Sequence, residues 1–331
     1  MWWIIPAYLV CVAVVVWLSI LIANYVDMLD KKTKVASALI GAVIFAGITS
    51  LPELFTSVWS VAVIGEPGLS MGNILGSNLF NLSILAIMMI FGRKAFASTR
   101  WGASQGVMIV CALLTTLLIF LNTQIQIGYV IPYININILS IVILGFYILA
   151  VKSAAVEKKP EVQFAEKVDN SKYTLKQTIW RFVLVAVALV AFSIALAYLA
   201  DLLSETYGLN KGFAGALLLG VVTSMPEFVS SIQLIRLKNF DLALGNILGS
   251  NIFNFMIIVL SDALYFKGTV YMRDLATAYL SGFLIASLVL MLIVYIFRSK
   301  QNVQNKHSWP YILVALGLIL CFFAGLALSS L

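Results

Sequence analysis

Residues 47–53 read Gly-Ile-Thr-Ser-Leu-Pro-Glu, and residues 72–81 read Gly-Asn-Ile-Leu-Gly-Ser-Asn-Leu-Phe-Asn. Much later the chain says nearly the same again. Residues 220–227 read Gly-Val-Val-Thr-Ser-Met-Pro-Glu, and residues 245–254 read Gly-Asn-Ile-Leu-Gly-Ser-Asn-Ile-Phe-Asn. Each copy sets one glutamate, Glu53 or Glu227, directly after a proline inside a long apolar segment. A charge near the centre of a membrane span costs a few kcal/mol or more and is by default a functional residue. Two carboxylates delivered by a duplicated element point to a paired cation site.

The surroundings are membrane-like throughout. Of 331 residues, 62% are hydrophobic and 11% charged, with mean hydropathy +1.03. Soluble domains carry about 25% charged residues, so water-soluble classes are excluded. Apolar runs near the spanning length of about 20 residues fall at 6–26, 36–63, 70–92, 102–122, 128–151, 177–200, 211–235, 241–264, 274–297 and 309–329. They are continuously apolar rather than alternating, which argues against a β-barrel. The expected fold is an all-α polytopic membrane protein with ten transmembrane helices.

The net charge of +7 is a topology signal rather than a nucleic-acid signal. Lys31, Lys32, Lys34, Arg93, Lys94, Arg100, Lys152, Lys158, Lys159, Arg236, Lys238, Arg298 and Lys300 all lie in odd-numbered loops, against Lys211, Lys267 and Arg273 in the even ones. By the positive-inside rule the odd loops are cytoplasmic and both termini outside. Cys11, Cys111 and Cys321 sit inside apolar spans without metal-ligand spacing and read as small hydrophobes. His307 stands alone in a loop. The stretch from Met1 to about Val26 is read as a retained transmembrane helix rather than a signal peptide.

The polar stretch 152–176 divides the chain into a first five-helix repeat, 1–151, and a second, 177–331. Glu53 and Glu227 are 174 residues apart and Ser77 and Ser250 are 173 apart, so the halves align almost without insertions. Five is odd, so the second half enters the membrane from the opposite side. The result is a pair of inverted-topology repeats with broken helices 2 and 7, an arrangement that places a substrate site near the midplane between the halves.

Pro52 and Pro226 explain the breaks. Proline has no N–H, so the carbonyls of Ile48 and Val222 lose their helical partner. Gly47 and Gly220 loosen the backbone upstream. Broken backbone is tolerated at membrane depth where it lines a polar cavity, and freed carbonyls are ligands for hard cations. A plainer reading also fits. Ser50-x-x-Glu53 and Ser224-x-x-Glu227 match the capping box, and proline favours the first turn of a helix, so each motif could simply restart a helix.

In the second motif, Gly72 and Gly76, like Gly245 and Gly249, follow the small-xxx-small rule for close helix packing. Ser77 and Asn81, and likewise Ser250 and Asn254, lie one turn apart on a shared face that packing would bring beside the glutamates. Asn73, Asn78, Asn246 and Asn251 either bond broken backbone on a neighbour or extend the cavity. Thr56, Ser57, Ser230 and Ser231 either line a passage or bond their own helix. Gln233 has Trp59 as its repeat partner and so is not duplicated, and Asp262 is placed at the membrane interface.

These motifs resemble the α-repeats of the cation/Ca2+ antiporter superfamily, most closely its prokaryotic Na+/Ca2+ exchanger branch, over essentially the whole chain. The resemblance implies an ion site formed by Thr49, Ser50 and Glu53, by Ser77 and Asn81, by Thr223, Ser224 and Glu227, and by Ser250, with backbone carbonyls at Ala46 and Gly220. It further implies alternating-access exchange of Na+ for Ca2+ in the cell membrane, with the two ions as substrates, the bilayer as surroundings and no cofactor. Asn254 stands where many exchangers of this branch carry aspartate, so two carboxylates remain rather than three. They balance one Ca2+ or two Na+. H+/Ca2+, K+-assisted and Mg2+ exchange are the nearest competing readings, and a passive cation channel is a further one. No nucleophile or His/Cys/Asp constellation supports an enzyme, and a monomer is compatible with a sequence that does not fix the oligomeric state.

Overall fold

The computed structural model describes residues 3–33, 35, 37–92, 96, 101–156, 172–206, 221–300 and 309–329. The main helices are α1 (Ile4–Lys32), α2 (Ile40–Thr49), α3 (Leu51–Ile64), α4 (Pro67–Phe91), α5 (Ala103–Ile125), α6 (Ile138–Val156), α7 (Leu175–Thr206), α8 (Met225–Arg236), α9 (Phe240–Leu264), α10 (Leu275–Lys300) and α11 (Trp309–Ser329). Among the described residues, eight helices are long and apolar enough to cross a membrane, or nine when the bent pair α2–α3 counts as one span. The span expected at 211–235 lies partly outside the described residues, which resume at Val221 and continue as α8. The chain is a multi-pass, nearly all-helical membrane protein. Exposed Leu9, Trp17, Trp180, Leu184, Leu320 and Phe323 give α1, α7 and α11 apolar outer faces suited to lipid.

The α2–α3 pair bends by 47° at Ser50. Ser50 has φ −91° and ψ 9°, and Pro52 falls in the first turn of the restarted helix. Ser224 repeats this with φ −88° and ψ 8° ahead of Pro226. The break therefore sits two residues before each proline, not at the proline in mid-helix as its missing N–H suggested. The fixed proline φ suits a helix start, so the strain is released upstream. One-turn π-helices at Ile40–Phe45 and Ser60–Ile64 mark irregular winding at both ends of the broken span.

α4 and α9 form the centre. They run antiparallel, since Ser70 meets Ser261 while Asn81, eleven residues on, meets Asn251. α2 lies close against α9. A Cβ on Gly249 would fall 2.3 Å from Ala42 Cα, and one on Gly41 would fall 2.9 Å from the Leu242 carbonyl oxygen. The glycines are required by this approach. α1 packs on α7 and α8, α10 and α11 pack on α4, and α5 and α6 pack on α9.

Three local features differ from expectation. Residues 128–137, expected as the start of helix 5, instead include a small antiparallel hairpin of β1 (Val130–Ile131) and β2 (Ile136–Asn137), so the fold is not purely helical. Pro132 and the positive φ of Tyr133 and Asn135 form its turn. α1 extends past Val26 to Lys32, which brings Asp27 and Asp30 into the packed interior. Asn239 Nδ2 donates to both, at 2.8 and 3.0 Å, and Lys31 pairs with Asp27 at 2.6 Å. Finally, Asp262 lies near the end of α9 as expected but is fully buried in protein, where it accepts from Asn137 N, Ser140 Oγ, Thr269 Oγ1 and Val270 N. This node staples the hairpin and α6 to the α9–α10 loop. Beside it, burial pushes the Tyr271 phenol well up, with the Asp262 charge adding to the effect.

Candidate cation site

Glu53 and Glu227 occupy the first turns of α3 and α8, just after the breaks, and are each 1% exposed. A capping box would have Ser50 and Ser224 cap their own helices. Neither does. Ser50 Oγ donates to Glu227 Oε1 at 2.8 Å, and Ser224 Oγ donates to Glu53 Oε1 at 2.9 Å. Each break thus hands its hydroxyl to the carboxylate of the other half. Thr223 also reaches Glu53, and Thr49 reaches Glu227.

The central helices add further oxygens. Ser77 Oγ lies 3.2 Å from Ser224 Oγ, and Ser250 Oγ lies 3.5 Å from Glu227 Oε1. Asn81 and Asn254 follow one turn along the same faces, each 1% exposed. Glu53 Oε2, Glu227 Oε2, Asn81 Oδ1 and Asn254 Oδ1 are all buried without a hydrogen-bond partner. An unpartnered buried polar atom is costly, and two of these belong to carboxylates. Hard cations are bound by such oxygens, from carboxylates, amides and hydroxyls. Among the described residues no group of three or more His, Cys, Asp or Glu side chains gathers, so the remaining ligand capacity around the glutamates is neutral oxygen.

The structure gathers Thr49, Ser50 and Ser250 around Glu227, and Thr223, Ser224 and Ser77 around Glu53. Ala46 is buried, but its carbonyl accepts from Ser50 N at 3.0 Å and faces Thr49 Oγ1 at 3.3 Å. Gly220 lies outside the described residues. Asn73 Nδ2 donates to Thr56 Oγ1 and Ser57 Oγ, and Asn246 Nδ2 donates to Ser231 Oγ at 3.3 Å. These asparagines tie each broken helix to its neighbour through hydroxyls, not through broken backbone. Gln233 Nε2 donates to Asn24 Oδ1 at 2.8 Å and so anchors α8 to α1. Sequence reasoning missed the Asp27–Asp30–Asn239 cluster, because the acids sit beside three lysines at a helix end and read as loop.

Carboxylates, hydroxyls and amide oxygens thus gather at the two helix breaks inside a multi-pass bundle. The family described as sodium/calcium exchanger protein matches residues 3–153 and 177–328. The chain belongs to that family. It is similar to the protein CaxA of Alkalimonas amylolytica, whose name includes the word antiporter, at 24% identity over 76% of this chain and 77% of that one. It is also similar to the inner membrane protein YrbG of Escherichia coli, at 23% identity over 79% and 81%. Among solved structures, the sodium-calcium exchanger NCX_Mj soaked with 2.5 mM Na+ and 0.1 mM Ca2+ matches with TM-score 0.70 and 17% identity over 96% of both chains. That likeness is one of fold.

Proposed function

We propose that this protein is a secondary active antiporter exchanging Na+ for Ca2+ across the cell membrane by alternating access, with cations held between Glu53 and Glu227. The observation that carries the reading is the set of buried oxygens without partners at Glu53, Glu227, Asn81 and Asn254. Hydroxyls of Thr49, Ser50, Ser77, Thr223, Ser224 and Ser250 surround them, and Ala46 and Gly220 complete the proposed ligand set. The bound ions are substrates. Two carboxylates balance one Ca2+ or two Na+. An emptied cage leaves two desolvated charges uncompensated, which opposes passage of the moving helices across the core and couples entry of one ion to exit of the other.

The architecture proposed with this function is ten spans in two inverted repeats, 1–151 and 177–331, with 152–176 cytoplasmic and both termini outside. The antiparallel meeting of the equivalent residues Asn78 and Asn251 supports the inversion, as does the reciprocal serine–glutamate exchange. We assign the moving unit to α1 and α7. They pack on each other, and Lys32 Nζ at the end of α1 donates to the Tyr173 carbonyl just ahead of α7 at 2.7 Å, which joins their ends.

The test is radioactive Ca2+ uptake into proteoliposomes under an imposed Na+, K+ or H+ gradient, each varied singly, with Mg2+ as competitor. Na+-driven uptake that Glu53→Gln and Glu227→Gln abolish is expected. Uptake driven only by H+ or K+ would reassign the ion pair, and full activity in either glutamine variant would remove the site.

A further inference from the structure

An amide side chain has two ends of nearly equal shape and opposite chemistry, an accepting oxygen and a donating NH2. If Asn81 and Asn254 are cation ligands, as proposed above, each must present its oxygen and turn its NH2 away. One helical turn from Ser77 and Ser250, which touch the two glutamate groups, this orientation is not the default. An unrestrained amide would donate its N–H to an unpartnered glutamate oxygen, and a hydrogen bond to a charged group is among the stronger ones available.

The central helices hold the amides the other way. Asn81 Nδ2 donates to Asn251 Oδ1 at 3.1 Å, and Asn254 Nδ2 donates to Asn78 Oδ1 at 2.9 Å. Asn78 is itself held, because its Nδ2 donates to the Asn251 carbonyl at 3.3 Å. All four side chains are 2% exposed or less, and the ligand-side oxygens of Asn81 and Asn254 are left without partners, as is the Asn251 Nδ2. The contacts cross between the halves. The asparagine three residues before the ligand in one copy of the motif orients the ligand in the other copy. This gives the Asn-x-x-Asn spacing at 78/81 and 251/254 a reason that helix packing alone does not supply.

We propose that Asn78 and Asn251 are positioning residues that orient the Asn254 and Asn81 amides so that oxygen faces the cation. Replacing Asn251 with leucine removes the acceptor at similar volume and frees the Asn81 NH2 to turn toward a glutamate. A cation must then displace that bond, and only the oxygen-inward fraction is competent to bind.

The experiment measures half-saturating Ca2+ for uptake, with thermal unfolding in detergent as the check on folding, in the wild type, N251L, N81D, N251L with N81D, and E53Q. N251L is expected to raise half-saturating Ca2+ by about tenfold or more. Adding N81D is expected to recover most of that loss, because a carboxylate presents an oxygen whichever way it turns. The N81D single variant sets the reference for the added charge, and a packing role would leave the same fold loss between N81D and the double variant. Wild-type affinity in N251L, or an undiminished loss in the double variant, overturns the inference. Should N251L not fold, the mirrored set N78L, N254D and N78L with N254D decides by the same two outcomes. Active E53Q would sink the cation-site reading itself, whereas inactive E53Q with unaffected N251L would sink only the positioning role.

Discussion

Ser50 and Glu227 stand 177 positions apart in the chain, yet the serine hydroxyl donates to the glutamate Oε1 at 2.8 Å. Ser224 does the same to Glu53 at 2.9 Å. Neither serine caps the helix it begins. The local sequence offers each hydroxyl a backbone partner, and the tertiary structure gives it a buried carboxylate instead. That is the stronger bond, because the acceptor is ionisable and lies away from water.

Removing this donor should be felt in stability as well as in transport. Ser50→Ala or Ser224→Ala is expected to cost about 1.5–3 kcal/mol, the range for a hydrogen bond to a charged group. Ser50→Thr keeps the hydroxyl and should retain most of the stability. Thermal unfolding of the purified variants checks this, and equal midpoints for alanine and wild type would refute it.

Gly249 tests the close approach of α2 to α9. Its missing Cβ would lie 2.3 Å from Ala42 Cα and 2.4 Å from the Ala42 carbonyl oxygen, and neither backbone atom can move away alone. Gly249→Ala should therefore destabilise by about 1–3 kcal/mol through overpacking and lower Ca2+ uptake by shifting Ser250 relative to Glu227. Gly145→Ala, with nothing within 4 Å of the added carbon, serves as the control. It should leave both the unfolding midpoint and uptake unchanged.

Asn239 holds the end of α1 by donating to Asp27 and Asp30 at once. Asn239→Ala withdraws that donor from two buried carboxylates and should cost about 1–3 kcal/mol. Native-state hydrogen exchange is the direct measurement. Faster exchange is expected in the last turns of α1 and in the α8–α9 turn, with α5 and α6 unaffected.

Asp262 separates scaffold from site. It accepts from four donors at the hairpin, α6 and the α9–α10 loop. It lies eight residues beyond Asn254, about 12 Å along the helix. Asp262→Ala strands those donors and should lower stability by about 3 kcal/mol or more. The protein that remains folded should keep the wild-type half-saturating Ca2+. A changed affinity would place Asp262 in the transport machinery.

Much of this protein was legible as a linear text. Among the described residues, helices appeared in most of the apolar runs of spanning length, because in lipid a continuous helix satisfies its own backbone. The duplicated Ser-x-Pro-Glu stretches marked both breaks to within two residues. The misreadings have physical causes. Residues 128–137 are apolar enough to pass for a span, but Pro132 and the left-handed Tyr133 and Asn135 turn the chain back as a hairpin. Asp27 and Asp30 resemble loop acids because nothing near them in sequence predicts Asn239, more than 200 positions later.

Residue type, spacing and repetition settled the membrane class and the family resemblance and singled out the two glutamates, since those depend on composition and on what each residue can do within one helical turn. The partner of each polar atom was decided only by the packed bundle. Whether Ser50 caps its helix or binds Glu227, and which end of the Asn81 amide faces inward, depends on atoms brought in by the opposite half of the chain. No local rule ranks those choices. In a dry interior, the acceptor that happens to lie within 3 Å determines the answer.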